Sequence, residues 1–334
     1  MVKSLNLILN FMKIIFTPKC LEYSNAHIES PERVEKAYNI LKSRGYEFIE
    51  PSPAPINDLL TVHTKEYVER IKMGRFYDPD TPAYEGIFDY ACLAVGGAML
   101  AAKENGFSLM RPPGHHAGRN GIALNAPTLG FCYFNNIAIA VKGLRVRTLI
   151  LDIDCHAPNG TTEIFYESDQ VLLLSLHQWP AYPGSGWYTE IGSGKGRGYK
   201  INIPLYPNTG DDIYIRTLEE FLPPLVEQFR PKMIAISAGF DAHKSETLTQ
   251  MNLSANSFYK IGLLLGGITK DIMLVLEGGY SATLPKLVYT LLEGLEGNEI
   301  KIMERFTKTP KEIYNLTEKR MQAIKNYLSL YWKF

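Results

Sequence analysis

Four short apolar runs in the second half of the chain are the strongest structural signal in the sequence. Each run is rich in Ile, Leu and Val, and the apolar runs of the second half alternate with amphipathic segments. The runs cover residues 148–153, 171–176, 233–237 and 272–276. Strands that are buried on both faces have this composition, and their alternation with helices is typical of βαβ units. The pattern therefore predicts a single α/β domain with an open, mostly parallel sheet flanked by helices.

Amphipathic segments predict the helices that cover this sheet. They lie at residues 32–44, 64–73, 85–104, 134–143, 212–229, 254–270 and 283–293. Helical spacing continues in the tail, so we expect residues 309–331 to form a C-terminal helix that packs on the body. One domain is expected over residues 12–334. Residues 1–11 are expected to be an N-terminal extension, with Met12 as the natural start.

Polar and titratable residues follow each of the four predicted strands. They are Asp152, Asp154 and His156 after the first strand, His177 after the second, Asp241 after the third, and residues 277–280 after the fourth. Open α/β sheets bind their ligands at the carboxyl ends of the strands. We therefore expect these polar groups to meet in one crevice.

Composition narrows the class of partner. The 35 Lys and Arg residues balance the 35 Asp and Glu residues, so no basic field attracts nucleic acid, and a small or peptide ligand is expected. No apolar run is long enough to span a membrane, so no membrane partner is expected. The cysteines, Cys20, Cys92, Cys132 and Cys155, are widely spaced. Their spacing argues against disulfides and favours a reducing, cytoplasmic location.

Asp154, His156 and Asp241 form the candidate metal site. On a strand, Asp152, Asp154 and His156 share one face, and a carboxylate beside an imidazole suits Zn²⁺. Taken alone, this segment also fits a strand end that caps a helix, and Asp241 alone fits a helix N-cap. Together, two carboxylates and one imidazole leave one position for water, which is the open pattern of a catalytic site. Fe²⁺ or Co²⁺ would suit the same ligands.

Two adjacent histidines, His115 and His116, follow an Arg-Pro-Pro-Gly turn. Neighbouring residues cannot both face the core of a helix or strand, so we expect a catalytic or metal-linked loop. A hydrolase that activates water needs a base for the proton of that water and an acid for the leaving amine, and histidine serves both near neutral pH. In the segment Glu277-Gly-Gly-Tyr280, the glycines, Gly278 among them, allow close backbone approach to a ligand. Tyr280 could polarise a carbonyl, and a tight turn with a packing tyrosine is the alternative.

Together these segments resemble the histone deacetylase family, with its acetylpolyamine amidohydrolase and acetoin-utilisation relatives. The similarity runs from residue 14 to residue 293 and rests on the order and spacing of five motifs. They are Pro-Gly-His-His, Gly-Phe-Cys-Tyr-Phe-Asn-Asn, Asp-x-Asp-x-His-x-x-Asn-Gly-Thr, Ser-Ala-Gly-Phe-Asp-Ala-His and Glu-Gly-Gly-Tyr. The resemblance implies the arginase–deacetylase fold and zinc-dependent hydrolysis of N-acetyl amides, which releases acetate and a free amine.

The resemblance also implies a role for each matching residue. The implied ligands of one zinc ion per chain are Asp154, His156 and Asp241. The implied catalytic residues are His116 as general base and acid, His115 and Asp152 as an electrostatic pair, Asn159 as the residue that orients His116, and Tyr280 as the oxyanion donor. The implied substrate-binding residues are Asp80 at the rim, Phe131 and Tyr182 in the tunnel walls, and Leu248 and Gly278. A structural potassium site is implied at Asp152, Asp154, His156, Ser175 and Leu176, and Arg33 matches an arginine of an internal channel.

The chain departs from the family pattern in two places. Where the family usually has His-His-Gly-Asn-Gly, this chain has His156-Ala157-Pro158-Asn159-Gly160. We expect altered packing of this loop without loss of the metal. Tyr182 stands where phenylalanine is usual, and we expect its hydroxyl to narrow the tunnel or to bind water.

Two other functions fit parts of the pattern. A ureohydrolase of the arginase type shares this sheet, but its second metal would need ligands at Pro158 and Gly239, which offer none. An inactive module that binds acetylated ligands would be expected to lack a metal ligand, His116 or Tyr280, and all are present.

Two residues indicate which class of acetylated substrate the protein prefers. Leu248 aligns with the position of a gatekeeper glutamate in a polyamine-selective relative, and an apolar rim offers a polycation no partner. Asp80 stands in the Asp-x-Pro-x-x-Glu-Gly context that lysine deacetylases use to accept backbone N–H groups. We therefore expect acetyl-lysine in a peptide or protein, with an acetylpolyamine or another small acetylated amine as the alternative. Glu246, two residues from Leu248, could supply the missing charge.

Overall fold

The computed structural model describes residues 12–24 and 26–334, and its centre is an eight-stranded sheet. The strands are β1 (Ile14–Ile15), β2 (Phe48–Ile49), β3 (Phe107–Ser108), β6 (Thr148–Asp152), β7 (Val171–Gln178), β8 (Lys200–Leu205), β9 (Met233–Ala238) and β10 (Ile272–Leu276). A separate antiparallel pair consists of β4 (Ala117–Gly118) and β5 (Gly121–Ile122). The order in the large sheet is β2-β1-β3-β10-β9-β6-β7-β8, and each neighbouring pair is parallel.

The four strands predicted from the sequence are the adjacent strands β10, β9, β6 and β7. They are buried because cores form on both faces of the sheet. In β6, Leu149 and Leu151 pack into one core, whereas Ile150 between them packs into the other. Apolar residues on both faces are what produced the continuous apolar runs in the sequence. The predicted fold class, a parallel α/β sheet flanked by helices, is confirmed.

Ten α-helices accompany the strands within the described residues. They are α1 (Pro31–Ser43), α2 (Ile56–Leu59), α3 (Lys65–Lys72), α4 (Ile87–Glu104), α5 (Asn136–Leu144), α6 (Asn159–Phe165), α7 (Asp211–Phe229), α8 (Ala255–Ile268), α9 (Leu284–Leu295) and α10 (Lys311–Leu328). The seven amphipathic segments predicted as helices correspond to α1, α3, α4, α5, α7, α8 and α9. Their ends differ from the prediction by a few residues. Helix α4, for example, begins at Ile87 because Gly86 before it is left-handed, with φ 68°.

The elements missed by the sequence reasoning are short or atypical. Strands β1, β2 and β3 have two residues each, which is too few for an apolar period to be visible. Strand β8 begins with a lysine and contains Pro204, and proline is tolerated there because β8 is the edge strand. Helix α6 has seven residues and follows directly on the metal-site motif.

The C-terminal segment forms helix α10. Its buried face consists of Thr317, Met321, Ile324 and Leu328. Lys325 forms an ion pair at 2.7 Å with Glu220 of α7, so the helix lies against the body. The proposed extension at residues 1–11 lies outside the described residues.

Two further features of the sequence can be compared with the structure. All four cysteines are free and buried. Within the described residues, none of the helices combines the length and the apolar character that crossing a lipid bilayer requires.

Candidate active site

Three candidate metal ligands lie just beyond the carboxyl ends of β6 and β9. These two strands are paired in register, so the segments that leave them run close together. Asp154 and His156 follow β6, and Asp241 follows β9. One ligand atom from each of the three residues lies within 4.8 Å of those of the other two. We call this group the metal trio.

The metal trio contains an acceptor that a cation would satisfy. Oδ1 of Asp241 accepts the Cys155 amide at 2.7 Å, but the buried Oδ2 has no hydrogen bond within the described residues. Nδ1 of His156 lies 2.8 Å from this oxygen. Burial and the neighbouring Asp154 carboxylate raise the pKa of Asp241 to about 6. Nδ1 of His156 also lies 3.1 Å from Oδ1 of Asp154, so a single imidazole faces two buried carboxylates, which repel each other unless enough positive charge lies between them. The donor set therefore fits a divalent ion such as zinc, with three protein ligands and one open position.

Glycines make room for the metal trio. A Cβ atom on Gly239 would lie 2.3 Å from Oδ2 of Asp154. A Cβ atom on Gly278 would lie 2.5 Å from the same oxygen and 2.9 Å from Oδ2 of Asp241. The amide of Gly278 also donates to Oδ2 of Asp154 at 2.8 Å. Gly278, expected from the sequence to bind substrate, is thus placed against the candidate metal ligands.

His116 is held as a neutral imidazole with a defined tautomer. Its Nδ1 lies 2.7 Å from Oδ1 of Asn159, whose Nδ2 donates to the Ala123 carbonyl at 3.0 Å. Because Oδ1 of Asn159 can only accept, Nδ1 of His116 carries the proton and Nε2 has the lone pair. Burial and the charges of His115 and His156 keep the pKa of His116 well below its ordinary value. His116 is therefore able to accept a proton at Nε2.

His115 has the opposite electrostatic environment, although its ring centre is 4.0 Å from that of His116. Nδ1 of His115 lies 3.1 Å from Oδ2 of Asp152, and Nε2 lies 3.8 Å from Oδ1 of Asp154. Burial opposes a charge on this ring, but the carboxylates of Asp154 and Asp152 outweigh it and raise the pKa of His115 to about 10. The structure thus places a histidine whose surroundings favour protonation beside one whose surroundings favour the neutral form.

Tyr280 follows Gly278, which packs against the metal trio, and its ring contacts Phe131 and Arg33. Its ring is 5.4 Å from that of Phe131, and the guanidinium carbon of Arg33 lies 4.5 Å from the ring centre. Burial, with the nearby carboxylates of Asp154 and Asp241, raises the pKa of Tyr280 well above its ordinary value, although Arg33 opposes this. The phenol therefore stays protonated and can donate a hydrogen bond.

Glu277 has a role that the sequence reasoning missed. Its buried Oε2 accepts the backbone amides of Gly114 at 2.7 Å and of His115 at 3.1 Å. Burial raises the pKa of Glu277 to about 7, although the charge of His115 and these two amides favour the ionised form. The first residue of the Glu-Gly-Gly-Tyr segment thus holds the histidine loop. In the sequence, the only indication of this role was an acidic residue directly after a predicted strand.

Comparisons with known proteins show the family to which the chain belongs. A family model described as histone deacetylase domain matches residues 27–295. The chain belongs to the histone deacetylase family. It is 37% identical to a probable deacetylase from Archaeoglobus fulgidus, over 93% of this chain and 95% of that protein. It is 34% identical to the histone deacetylase-like amidohydrolase of Pseudomonas aeruginosa, over 81% of this chain and 77% of that protein.

The fold comparison leads to the same family. The crystal structure of the HDA15 HD domain matches with a TM-score of 0.84 and 29% identity, and covers 96% of this chain and 95% of that chain. The expected family and the arginase–deacetylase fold are therefore confirmed, and membership of the family supports hydrolysis of acetylated amides.

Two aromatic residues expected to form the tunnel walls, Phe131 and Tyr182, pack against candidate catalytic residues. The ring of Tyr182 packs edge-on against that of His116, with centres 4.8 Å apart. The hydroxyl of Tyr182 donates to the Thr128 carbonyl at 3.0 Å. Phe131 packs against His27 at 4.7 Å. The hydroxyl at position 182 is therefore bonded to the backbone of Thr128, whereas a narrower tunnel or a bound water was expected.

Asp80, the expected rim residue of this deacetylase family member, is engaged with the loop that carries Phe131. Oδ1 of Asp80 accepts the Thr81 hydroxyl at 2.8 Å and the Gly130 amide at 3.1 Å, and Oδ2 accepts the Thr128 hydroxyl. The Thr81 hydroxyl in turn accepts the Phe131 amide at 2.8 Å. These three bonds leave Oδ2 of Asp80 able to accept one more donor. The carboxylate therefore holds the loop of Phe131 in place.

Glu246 and Leu248 differ in exposure on the loop after β9. The side chain of Leu248 is 45% exposed, whereas Glu246 is 8% exposed. Oε2 of Glu246 accepts the amides of Tyr280 at 2.7 Å and Ser281 at 3.1 Å. Oε1 accepts the Thr247 amide at 2.8 Å. Glu246 is therefore turned toward the backbone around Tyr280, and the exposed side chain at position 248 is apolar.

The residues expected to bind potassium are adjacent in the sheet. Asp152 at the end of β6 is in register with Ser175 of β7, and both are fully buried. Nε2 of His177 lies 2.9 Å from the Gly186 carbonyl, so Nε2 carries the proton and Nδ1 accepts from the Ser175 hydroxyl at 2.8 Å. The lone pairs of Ser175 Oγ then remain available, which fits a cation. The site at Asp152, Asp154, His156, Ser175 and Leu176 stays a prediction.

The departure from the family pattern at Ala157 and Pro158 has a local explanation. Ala157 is buried, and a Cβ atom on Gly186 would lie 2.6 Å from its Cβ atom. The loop of Gly186 thus packs where a larger side chain at position 157 would clash. Pro158 directly precedes α6, and its carbonyl accepts the Thr162 amide at 2.8 Å. Neither residue disturbs the convergence of the metal trio.

Proposed function

We propose that this protein is a zinc-dependent deacetylase that hydrolyses acetyl-lysine in peptides or proteins. One observation carries the proposal: two buried carboxylates, Asp154 and Asp241, converge on His156, Oδ2 of Asp241 accepts no hydrogen bond within the described residues, and the neutral His116 lies nearby. Family membership supports hydrolysis of an acetylated amide, and the ligand set of the metal trio suits zinc. When bound, zinc would polarise the acetyl carbonyl and lower the pKa of a water molecule.

The side chains around the metal trio supply the remaining chemistry. Nε2 of His116 accepts the proton of the attacking water and then delivers it to the leaving amine. Asn159 keeps the ring in the tautomer that this transfer needs. The hydroxyl of Tyr280 donates to the acetyl oxygen as negative charge develops there, a contribution of about 3–4 kcal/mol for one such donor. Phe131 and Tyr182 exclude bulk water from the acyl chain.

The chemistry of the rim supports a peptide over a polyamine. A polyamine needs a carboxylate for its distal ammonium group. Glu246, the acidic residue nearest in sequence to Leu248, uses both carboxylate oxygens for three backbone amides of its own chain. The exposed Leu248 offers an apolar contact instead. One acceptor site of Asp80 remains for a backbone N–H group, which a peptide has and a simple acetylated amine lacks.

Kinetics of the zinc-loaded protein on matched substrates test the proposal. An acetyl-lysine peptide and N-acetylcadaverine share the acylated chain, but only the peptide has backbone N–H groups. We expect kcat/KM for the peptide to exceed that for N-acetylcadaverine and acetylspermidine by about tenfold, the value of one good hydrogen bond. A tenfold preference for acetylspermidine would reverse the assignment, and no release of acetate from any of them would refute deacetylation.

Substitution at the rim sharpens this test. Leu248→Glu should raise kcat/KM for acetylspermidine by about tenfold, because it adds a carboxylate without a backbone partner. Leu248→Gln is the matched control, because glutamine has the length of glutamate without its charge. It should change kcat/KM for acetylspermidine little. Equal effects of the two variants would show that charge at position 248 does not select the substrate.

A further inference from the structure

The backbone around Tyr280 is held by two side chains of opposite charge. Arg33 donates from Nε to the Gly279 carbonyl at 2.6 Å and from Nη2 to the Glu277 carbonyl at 2.7 Å. Oε2 of Glu246 accepts the amides of Tyr280 and Ser281 at 2.7 and 3.1 Å. The guanidinium thus binds the carbonyls before the tyrosine, and the carboxylate binds the amides at and after it. Both side chains are buried.

The turn needs such support because its conformation is unusual. Gly279 has φ 114°, in the left-handed region that favours glycine. A Cβ atom there would lie 2.6 Å from Cδ1 of Leu284 and 2.9 Å from Cβ of Phe240. Without Glu246, the two amides would need other acceptors, since an unpaired buried N–H group is costly.

Glu246 also belongs to the loop that carries a candidate metal ligand. Its amide donates to the His243 carbonyl at 2.9 Å, and the Thr249 hydroxyl donates to the Asp241 carbonyl. The amide of Lys244 donates to the Leu253 carbonyl at 2.9 Å. The loop from residue 241 to residue 249 is therefore closed on itself, and Glu246 connects it directly to the backbone of Tyr280.

We propose that Glu246 is a positioning residue that sets the phenol of Tyr280 relative to the metal trio. The inference rests on the proposed deacetylase function. Because charge-assisted hydrogen bonds are short and directional, the carboxylate fixes the Tyr280 backbone in register with the loop of Asp241. A shift of the Tyr280 backbone displaces the hydroxyl from the oxygen that develops charge, so the rate of the chemical step depends on Glu246.

A double-mutant cycle with Tyr280→Phe tests this role. Glu246→Ala should lower kcat by about tenfold or more while KM changes less than about twofold, because the loss falls on the transition state. In the Tyr280→Phe background, the same substitution should cost less than about twofold, because the hydroxyl it positions is already gone. Independent, multiplicative losses would show that Glu246 only stabilises the fold.

Two further variants complete the test. Glu246→Gln keeps an oxygen for the amides of Tyr280 and Ser281 and gives up only the acceptor for the Thr247 amide, so it should retain activity within about threefold. Ser245→Ala is the matched control, because its hydroxyl bonds Ser281 and Thr283 across the same two segments, at 3.0 and 2.8 Å, without contacting the Tyr280 amide. It should leave kcat unchanged. A loss with Ser245→Ala as large as that with Glu246→Ala would assign the effect to general loop packing.

A readout without turnover separates this inference from the proposed function. The protein labelled with 3-fluorotyrosine gives a fluorine resonance for Tyr280, which Tyr280→Phe identifies by its loss. Glu246→Ala should shift or broaden this resonance in the zinc-free protein, whereas Glu246→Gln and Ser245→Ala should leave it in place. An unchanged resonance in Glu246→Ala overturns the positioning role, even if the wild-type protein proves to hydrolyse none of the acetylated amines.

Discussion

Two buried clusters of charged side chains lie near Tyr280, and they differ in how many hydrogen bonds their carboxylate oxygens accept. In the first, the arginine cluster of Glu29, Arg33 and Arg111, Oε1 of Glu29 accepts from Arg33 at 2.8 Å and from Arg111 at 2.9 Å. Oε2 accepts from Arg111 at 2.7 Å. In the metal trio, by contrast, Oδ2 of Asp241 has no hydrogen bond within the described residues.

The pKa shifts of the two clusters show what this difference means. Burial disfavours the ionised form of Glu29, yet Arg111 and Arg33 outweigh it and hold the pKa below its ordinary value. Burial of Asp241 acts in the same direction, but the charge of Asp154 adds to it, and the pKa rises to about 6. The arginine cluster is thus electrostatically complete by itself. The metal trio sets two buried carboxylates against the single imidazole of His156, an excess of negative charge that a metal cation would balance. It therefore indicates function, whereas the arginine cluster indicates structure.

The largest expected effect is the loss of activity in Asp241→Asn. Asparagine keeps the acceptor for the Cys155 amide but offers no carboxylate, so the protein should bind no zinc and show no measurable turnover. The zinc-free variant should be at least as stable as the zinc-free wild type, because a repelled buried charge is gone. Metal analysis and urea unfolding measure the two effects. Asp271→Asn, at an exposed position, is the control. If Asp241→Asn alone clearly lowered the free energy of unfolding of the zinc-free protein, the difference between the metal trio and the arginine cluster would not hold.

The opposite outcome is expected for Glu29→Gln. This variant leaves two buried guanidinium groups without their carboxylate, and such a loss typically costs about 3–5 kcal/mol of unfolding free energy. Zinc content should stay at one per chain. The half-exposed pair of Lys13 and Glu104, at 2.7 Å, provides the control, since Glu104→Gln should lower the free energy of unfolding far less than Glu29→Gln does. If Glu29→Gln were as mild as Glu104→Gln, the arginine cluster would not be the structural one.

A smaller effect, confined to catalysis, is expected for His116→Ala. Loss of the base should lower kcat by about a hundredfold or more, equivalent to about 2.7 kcal/mol, without loss of zinc. Added imidazole should restore part of the rate if the missing group is a proton carrier. A loss of less than about threefold would remove His116 from this role.

The smallest effect is a difference in the pH dependence of stability of the zinc-free protein. The pKa of Asp241 in the folded protein lies above its ordinary value, so the folded state keeps this proton to a higher pH than the unfolded state does. The contribution of Asp241 to the free energy of unfolding therefore falls as pH rises from the ordinary pKa toward about 6. Glu29 has a lowered pKa, so its contribution is present above its ordinary pKa and is lost as pH falls through the folded value. Urea unfolding should therefore show that the free energy of unfolding of Asp241→Asn exceeds that of the wild type by more at pH 7 than at pH 5, with a difference on the order of 1–2 kcal/mol. An equal gain at both pH values would contradict the assignment.

The sequence determined the features that depend on local pattern. Continuous apolar runs predicted β10, β9, β6 and β7, because a strand covered on both faces must be apolar throughout. The polar residues at the ends of these strands predicted one crevice, because parallel strands end at the same edge of a sheet. The motifs also indicated the family, and its model matches residues 27–295.

Only the tertiary structure decided where the buried carboxylates point. Glu246 was a possible rim charge in the sequence, but it lies 34 residues from Tyr280 along the chain and binds its amide. Glu277 similarly binds the Gly114 amide from 163 residues away. The roles of both depend on which backbone donors the fold brings within hydrogen-bonding distance. Local periodicity reports which face of an element is apolar, and it contains no information about a partner that is remote in sequence.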